Sequence, residues 1–406
     1  MSSTIAAATG SSALPEEAYA AALASVSGIG PKSLRALLQD ATPRAAWDEL
    51  VRGRVHLVAS RQGGAVVGHA RRTDVAALWE AHVRAGIGVC VLGQPEYPAV
   101  LADDPQAPAV LFFIGRPAVL DAAPRVAVVG TRSATRYGLG VAAQLGADLA
   151  AAGVVVVSGL ALGIDGAAHE GAVAAWRAAC GEAPDGASSL GDIPRGSGRG
   201  EGRAAPPVAV VAGSVATPYP RQHARLWRRV ANAGAVLSES PIGVADLAWR
   251  FPLRNRIIAA ISDVVVVVEC HVRGGSLHTV QAATARGVTV GAVPGSVRSP
   301  ASAGTNGLIA DGCFVVRDVS DVLVAVGIAS ASTGRKSGDH PVSSGVGVDG
   351  LPSPTADVAR AVGWDPTPLE EILGRTGLGM DAVCGALERL RARRLVHGEA
   401  GCWERV

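Results

Sequence analysis

Val128-Val-Gly-Thr-Arg-Ser-Ala-Thr-Arg-Tyr-Gly138 sets the fold. The apolar run Val126–Val129 enters Gly130, and a helical pattern begins near Gly138 and continues through Gly140–Ala151. A strand that turns through small residues into a helix is the opening half of a βαβ unit. The alternation recurs: Val154–Val157, Val208–Val211, Ala235–Leu237, Val264–Val268 and Thr289–Val293 are short, valine-rich runs, with amphipathic stretches such as Arg225–Ala233 between them. Continuous apolar runs of this length suit strands buried on both faces. Residues 116–328 are therefore predicted to form an α/β fold, an extended Rossmann-like parallel sheet with helices on both sides. Ligands of such sheets gather where strands end and helices begin.

On the N-terminal side, residues 14–115 read as a mainly helical domain. Glu16–Val26 and Leu34–Leu38 have helical apolar spacing around Val26-Ser-Gly-Ile-Gly-Pro-Lys32, whose glycines suit either a phosphate-contacting hairpin or a plain tight turn. Residues 181–207, dense in Gly, Pro, Ser and Arg, read as a disordered insertion, and 329–354 as a linker. Residues 355–406 resume structure, with helices near Asp357–Val362, Pro368–Thr376 and Met380–Arg394, then two strand-like pieces, Leu395–His397 and Cys402–Val406. Three helices and a hairpin predict a winged helix.

Apolar residues make up 49% of the 406, charged residues 18% and aromatics 4%, a globular composition whose core must be aliphatic. No apolar run exceeds Leu149–Val157 in length, too short to span a bilayer, and the first charged residue is Glu16, so a cytoplasmic location without a membrane partner is expected. Cys90, Cys180, Cys270, Cys313, Cys384 and Cys402 are scattered without a C-x-x-C pair, which favours neither a metal site nor a disulfide framework. Net charge is only +2, yet Tyr219–Arg256 holds seven arginines against Glu239 and Asp246. Such a cluster predicts an anion-binding face, against the alternative of a solvated arginine surface.

Four constellations carry candidate chemistry. In the first, Gly130 and Thr131 let backbone amides face an anion, and Arg132 adds a planar donor for phosphate. The pattern is not G-x-G-x-x-G and no ribose-binding acid follows about 20 residues on, so no dinucleotide or other cofactor is expected. The second, Val157-Ser-Gly-Leu-Ala-Leu-Gly-Ile-Asp-Gly-Ala-Ala-His169, places Ser158 and Gly159 at a strand end. Asp165 and His169 lie one helical turn apart, spacing that suits capping better than a nucleophile relay, and the G-x-S-x-G elbow is missing. The third joins Tyr219-Pro-Arg-Gln-His223, Leu237-Ser-Glu-Ser-Pro241 and Phe251-Pro-Leu-Arg-Asn-Arg-Ile-Ile258. Rings beside guanidiniums are what a single-strand binder needs, since bases stack and phosphates pair. Arg221, Phe251, Arg254, Asn255 and Arg256 are the candidates, the competing possibility being that these arginines pair with Glu239 or Glu269. The fourth, Val268-Glu-Cys-His-Val-Arg-Gly-Gly-Ser-Leu-His-Thr279, leads through Gly274, Gly275 and Ser276 into a helix, another phosphate cradle. Glu269, His271 and His278 lack metal-ligand spacing, so no metal is expected.

In this order the motifs resemble those of the DprA/Smf family: Val-Gly-Thr-Arg, Ser-Gly-Leu-Ala-x-Gly-Ile-Asp-x-x-x-His, Tyr-Pro, Ser-Glu-x-Pro, Phe-Pro-x-Arg-Asn-Arg-Ile-Ile, a Gly-Ser-Leu turn and Pro-Gly, over about Tyr97 to Gly312. The resemblance implies a homodimeric, non-catalytic protein that binds single-stranded DNA and loads RecA during DNA uptake in natural transformation. It also implies DNA contacts at Arg132, Arg221, Arg254 and Arg256, with Phe251 close by. The chain departs from the pattern at Ala212-Gly-Ser-Val-Ala-Thr-Pro218, where the family has Gly-x-Gly-Leu-Asp, and at Gly275, where serine is usual.

The alternative is a nucleotide-processing phosphoribohydrolase of the lysine-decarboxylase-like type. Its Pro-Gly-Gly-x-Gly-Thr motif carries a following glutamate, whereas Arg273-Gly-Gly-Ser-Leu-His-Thr279 has none. A transcription factor reading duplex through Met380–Arg394 is the third possibility, but that segment concentrates its arginines at one end.

Overall fold

The computed structural model describes residues 13–55, 63–121, 124–181, 204–244, 249–328, 351–363, 367–393, 395–399 and 401–405. The chain divides into two compact units, Met1–Ser330 and Ala331–Val406.

The first unit is built on nine strands: β1 (Gly88–Val91), β2 (Val110–Gly115), β3 (Arg125–Val129), β4 (Val155–Ser158), β5 (Val208–Val210), β6 (Ala235–Ser238), β7 (Val264–Val267), β8 (Thr289–Ala292) and β9 (Phe314–Val315). They lie in the order β1-β2-β6-β5-β4-β3-β7-β8-β9. All pairs from β6 to β9 are parallel, while β2 runs antiparallel to β6 and β1 to β2. From β3 the chain winds outward through β4, β5 and β6, then returns to the other side of β3 with β7. The strand order therefore reverses between β3 and β7, the switch point where open α/β sheets form their crevice.

Thirteen α-helices surround this sheet among the described residues. Five precede it: α1 (Glu16–Ser25), α2 (Pro31–Gln39), α3 (Pro43–Val51), α4 (Gly63–Arg72) and α5 (Val75–Arg84). The others are α6 (Ala99–Ala102), α7 (Arg136–Ala151), α8 (Ile164–Ala179), α9 (Ala224–Ala233), α10 (Arg250–Ala260), α11 (Leu277–Thr284), α12 (Ala303–Ala310) and α13 (Val319–Ala325). Alternate strand residues face opposite layers. Val126, Val128, Val264 and Val266 pack with Leu145, Leu149 and Ile164 of α7 and α8. Ala127, Val129, Val265 and Val267 pack with Ile257, Ile258 and Ala283 of α10 and α11. Each fully buried Leu or Ile contributes roughly 1.5–3 kcal/mol, so the valine runs are stabilised from both sides, as their composition predicts.

Two expectations are corrected. The segment 14–115 is not helical to its end. Its last strands, β1 and β2, extend the large sheet, and Val110, Phe112, Ala209 and Val236 share a core with Ala20–Leu23 of α1. The apolar run Val110–Ile114 has no helical face to bury, so it pairs with β6. Buried His82 of α5 stacks on Phe112 at 5.5 Å between ring centres and ties this layer down. Within the expected insertion, residues 182–203 lie outside the described residues. Its last part is packed: Ala205 is buried and its amide donates to the Ala150 carbonyl at 2.8 Å. Most of the expected linker, 329–350, also lies outside the described residues.

The second unit holds α14 (Thr355–Ala361), α15 (Leu369–Thr376) and α16 (Met380–Ala392), with β10 (Thr367–Pro368), β11 (Val396–Glu399) and β12 (Cys402–Arg405). Its antiparallel sheet has the order β10-β12-β11. Val358, Ile372, Val383, Leu387 and Leu390 form its core. The short β10 is an addition to the elements expected from sequence.

Candidate nucleic-acid interface

The strand-end loops of the parallel sheet bring the four constellations to one rim, where they divide into a buried frame and an exposed surface. The frame begins at the switch point. Thr135 precedes α7, and its side chain accepts from the Gly138 amide at 3.2 Å. The Thr135 amide and hydroxyl in turn donate to the Glu269 carboxylate at 2.9 and 2.5 Å. Glu269 is buried, and a Cβ on Gly138 would collide with its carboxyl group. An acid of the chain itself thus sits at the N-terminus of α7, the place where a Rossmann protein receives a pyrophosphate. The Thr131 amide is spent on the Glu269 carbonyl at 2.8 Å.

Ser158, Asp165 and His169 also belong to the frame and form no relay. The Ser158 hydroxyl donates to the Val128 carbonyl at 2.6 Å. Asp165 accepts from the Gly159 amide at 3.1 Å, and burial pushes its carboxyl upward against the pull of Arg254. His169 meets the Val208 carbonyl through Nε2 at 3.2 Å, and burial lowers its pKa to about 4. Leu160, buried with φ of 53°, turns the chain out of β4, and its carbonyl accepts from His223 Nδ1 at 2.9 Å.

The structure corrects the expectation for Arg254 and Arg256. Because α10 begins at Arg250, these two arginines, two apart on a helix, diverge. Arg254 is only 6% exposed and donates to the carbonyls of Gly159 and Val210. Gly159 owes its lack of a side chain to this contact, since a Cβ there would overlap the guanidinium. Arg256 pairs with Glu239 at 2.5 Å and donates to the Gln106 carbonyl. Burial pushes the Glu239 carboxyl upward while Arg256 opposes it. The competing possibility raised by the sequence, arginines held by Glu239, describes Arg256. Asn255 is half-buried and donates to the Gly275 carbonyl at 3.4 Å. Ser276 is buried, its hydroxyl facing the Cys270 thiol, whereas Gly274 and Gly275 stand nearer the surface.

What remains accessible centres on Arg132 and Tyr219, with Phe251 half-buried between them. The Arg132 guanidinium lies over the Phe251 ring at 4.5 Å, and Phe251 meets Tyr219 at 5.8 Å with a 51° tilt. Tyr219 is 45% exposed and Arg221, two residues on, is also exposed. Trp249, 54% exposed, carries the Arg250 guanidinium over its ring at 4.5 Å. Trp249 and Arg250 were not among the residues singled out from sequence. Their adjacency to Phe251, as Trp-Arg-Phe, was the available signal. The Thr131 amide, held by the Glu269 carbonyl, is not presented to this surface, and Gly130 is half-buried beside it.

Fold and rim together define an open α/β protein whose strand-end surface presents arginine and aromatic faces, its dinucleotide position being filled by Glu269. The sequence profile of the family described as DNA recombination-mediator protein A matches residues 88–190 and 202–327, beginning at the first residue of β1. A DprA protein of Mycobacterium tuberculosis is 38% identical over 299 residues, covering 73% of this chain and 68% of that one. The DNA processing protein DprA of Bacillus subtilis is 33% identical over 242 residues, 60% of this chain and 72% of that one. The X-ray structure of DNA processing protein A from Streptococcus pneumoniae superposes with a TM-score of 0.58 at 27% identity, covering 76% of this chain and 97% of that one. The chain belongs to the DNA recombination-mediator protein A family, the DprA/Smf family of DNA-processing proteins. No helix among the described residues is long and apolar enough to cross a membrane.

Proposed function

We propose that the chain binds single-stranded DNA on the exposed arginine–aromatic surface and passes it to RecA, without catalysing a reaction. The observation that carries this is the Arg132–Phe251–Tyr219 cluster at the strand ends. A base can stack on the open Tyr219 ring while Arg132 and Arg221 hold flanking phosphates. The DNA-contacting set is accordingly Arg132, Tyr219, Arg221 and Phe251. Arg254, Asn255, Arg256, Ser158 and Gly159 shape the rim from behind. The Gly274–Ser276 turn is a supporting phosphate contact, because Gly275 is exposed at the start of α11.

A non-catalytic role agrees with the engagement of Ser158 and His169 by backbone carbonyls and with the missing acid after Gly275. RecA loading, a role in natural transformation, a homodimer and a cytoplasmic location are part of this proposal, and the likeness to the family supports them. We assign the second unit as a winged-helix module, since its three helices and three short strands have that order. The test is fluorescence anisotropy with single- and double-stranded oligonucleotides over a salt series. Tighter binding to single strands is expected, with a log–log salt slope of roughly −0.7 per phosphate contact. Preference for blunt duplex, or a flat salt response, would sink the proposal.

A further inference from the structure

The glycine-rich turn Val26–Lys32 lies beside the strand-end rim, and two of its amides are spent inside the protein. Ser27 donates to His69 Nδ1 at 2.9 Å and Ile29 to the Val26 carbonyl at 3.1 Å. What the turn offers the rim is apolar. Ile29, Pro31 and Leu34 line a cleft from the α2 side, and Trp249 and Leu253 line it from the α10 side. Glu239 and Ser240, just past the end of β6, complete it. The cleft holds about 70 Å³, so it takes the edge of one base rather than a helix or a duplex.

Two features separate it from an ordinary surface crevice. Trp249 is the only exposed tryptophan among the described residues, at 54%. The Arg250 guanidinium covers one face of its ring at 4.5 Å and is itself anchored on Ser240 Oγ at 2.9 Å. An indole held rigid in water offers stacking area at little further entropic cost. Glu239 is the second feature. Its Oε2 is held by Arg256 at 2.5 Å, while Oε1 accepts no hydrogen bond among the described residues. An ionised carboxylate oxygen only accepts, so it selects a partner that donates.

We infer that this cleft receives one base of the bound strand, Trp249 stacking on it and Glu239 accepting from its exocyclic amino group. This rests on the single-strand site proposed above and adds a second base position, since Trp249 stands two residues before Phe251 of the exposed cluster. Cytosine offers its N4 amino group to a carboxylate and adenine its N6, whereas thymine presents a carbonyl oxygen in that place. The site therefore favours amino-bearing bases over thymine, a preference that phosphate contacts through Arg132 and Arg221 do not give.

The experiment measures binding of oligodeoxycytidylate and oligothymidylate of equal length to the full chain, W249A, E239Q and R132Q, at neutral pH over a salt series. The parent should favour cytidylate by about fivefold or more, the lower end for one base-reading contact. W249A should bind cytidylate about fivefold or more weakly, the worth of one stacked base, at an unchanged salt slope, because stacking releases no counterions. E239Q, whose amide presents a donor beside the acceptor, should lose the preference for cytidylate. Trp249 is exposed, so W249A keeps the parent's urea midpoint and decides the matter even if E239Q, deprived of its pairing with Arg256, unfolds. A parent that binds both oligomers equally, or W249A that binds cytidylate as the parent does, overturns the base site. R132Q reports on the exposed cluster separately: it should weaken both oligomers alike with the preference retained, and normal binding by R132Q overturns the cluster instead.

Discussion

Replacing Arg254 by alanine removes the donor to the Gly159 and Val210 carbonyls and the positive neighbour of buried Asp165. Stripping one partner from a buried charged cluster costs about 3–5 kcal/mol, so R254A should lose most of its stability in a urea titration. Arg132 is exposed and touches the Phe251 ring. Its change to glutamine should leave the urea midpoint nearly unmoved and weaken single-strand binding by about 1.5–3 kcal/mol, the worth of a charged contact. If R132Q binds normally and R254A remains stable, the division between frame and surface is wrong. A third residue makes the protein sensitive to acid. His169 has a folded pKa of about 4 against 6.5 when unfolded. Below 6.5 the unfolded chain takes up the proton and the folded one does not, so this contribution is complete above pH 6.5 and is lost as pH falls towards 4. Its slope approaches about 1.4 kcal/mol per pH unit, and burial of His82 acts in the same direction. Urea midpoints at pH 7 and pH 5 should therefore differ, and less so in H169F.

At the scale of elements, α7 depends on an acid supplied from the end of β7. Glu269 receives both the amide and the hydroxyl of Thr135, so E269A leaves the first turn without its anion and the Thr135 cap without its acceptor. A loss of about 1–2 kcal/mol is expected, with hydrogen exchange accelerated at the start of α7 before the rest of the sheet. Unchanged exchange there would show that packing alone holds the turn. The connection between α8 and β5 gives a second case. Replacing residues 182–203 by a short Gly-Ser link should keep the melting temperature, because loop length alters closure entropy slowly. Extending the removal through Pro207 should lower it, since Ala205 is buried against the end of α7 and the Pro207 carbonyl accepts from Ala235.

Across the whole molecule, the exposed cluster lies within Met1–Ser330, while Ala331–Val406 has its own core. A fragment ending at residue 328 should bind single strands within about twofold of the full chain, a change under roughly 0.5 kcal/mol. A large loss of affinity would move part of the site to the second unit.

The valine runs from Val126 to Val293 determined the parallel sheet by themselves. A continuous apolar run bounded by turns must be buried on both faces, and amphipathic helical stretches between the runs supply the two covering layers. The same local chemistry announced that the strand ends would gather Arg132, Arg221 and Phe251, because a βα turn always lies on that rim. Other features needed the assembled fold. The antiparallel addition of β1 and β2 depends on pairing with β6, over a hundred residues later, and no local pattern encodes a partner at that distance. Nor could charge separate Arg132 from Arg254. Both are arginines after glycine- or proline-rich turns, but α10 aims one into carbonyls at the ends of β4 and β5, while the other rests on the Phe251 ring in the open. Sequence supplies the charge of a guanidinium; burial, which only tertiary packing sets, decides whether it holds the protein together or remains available to a phosphate.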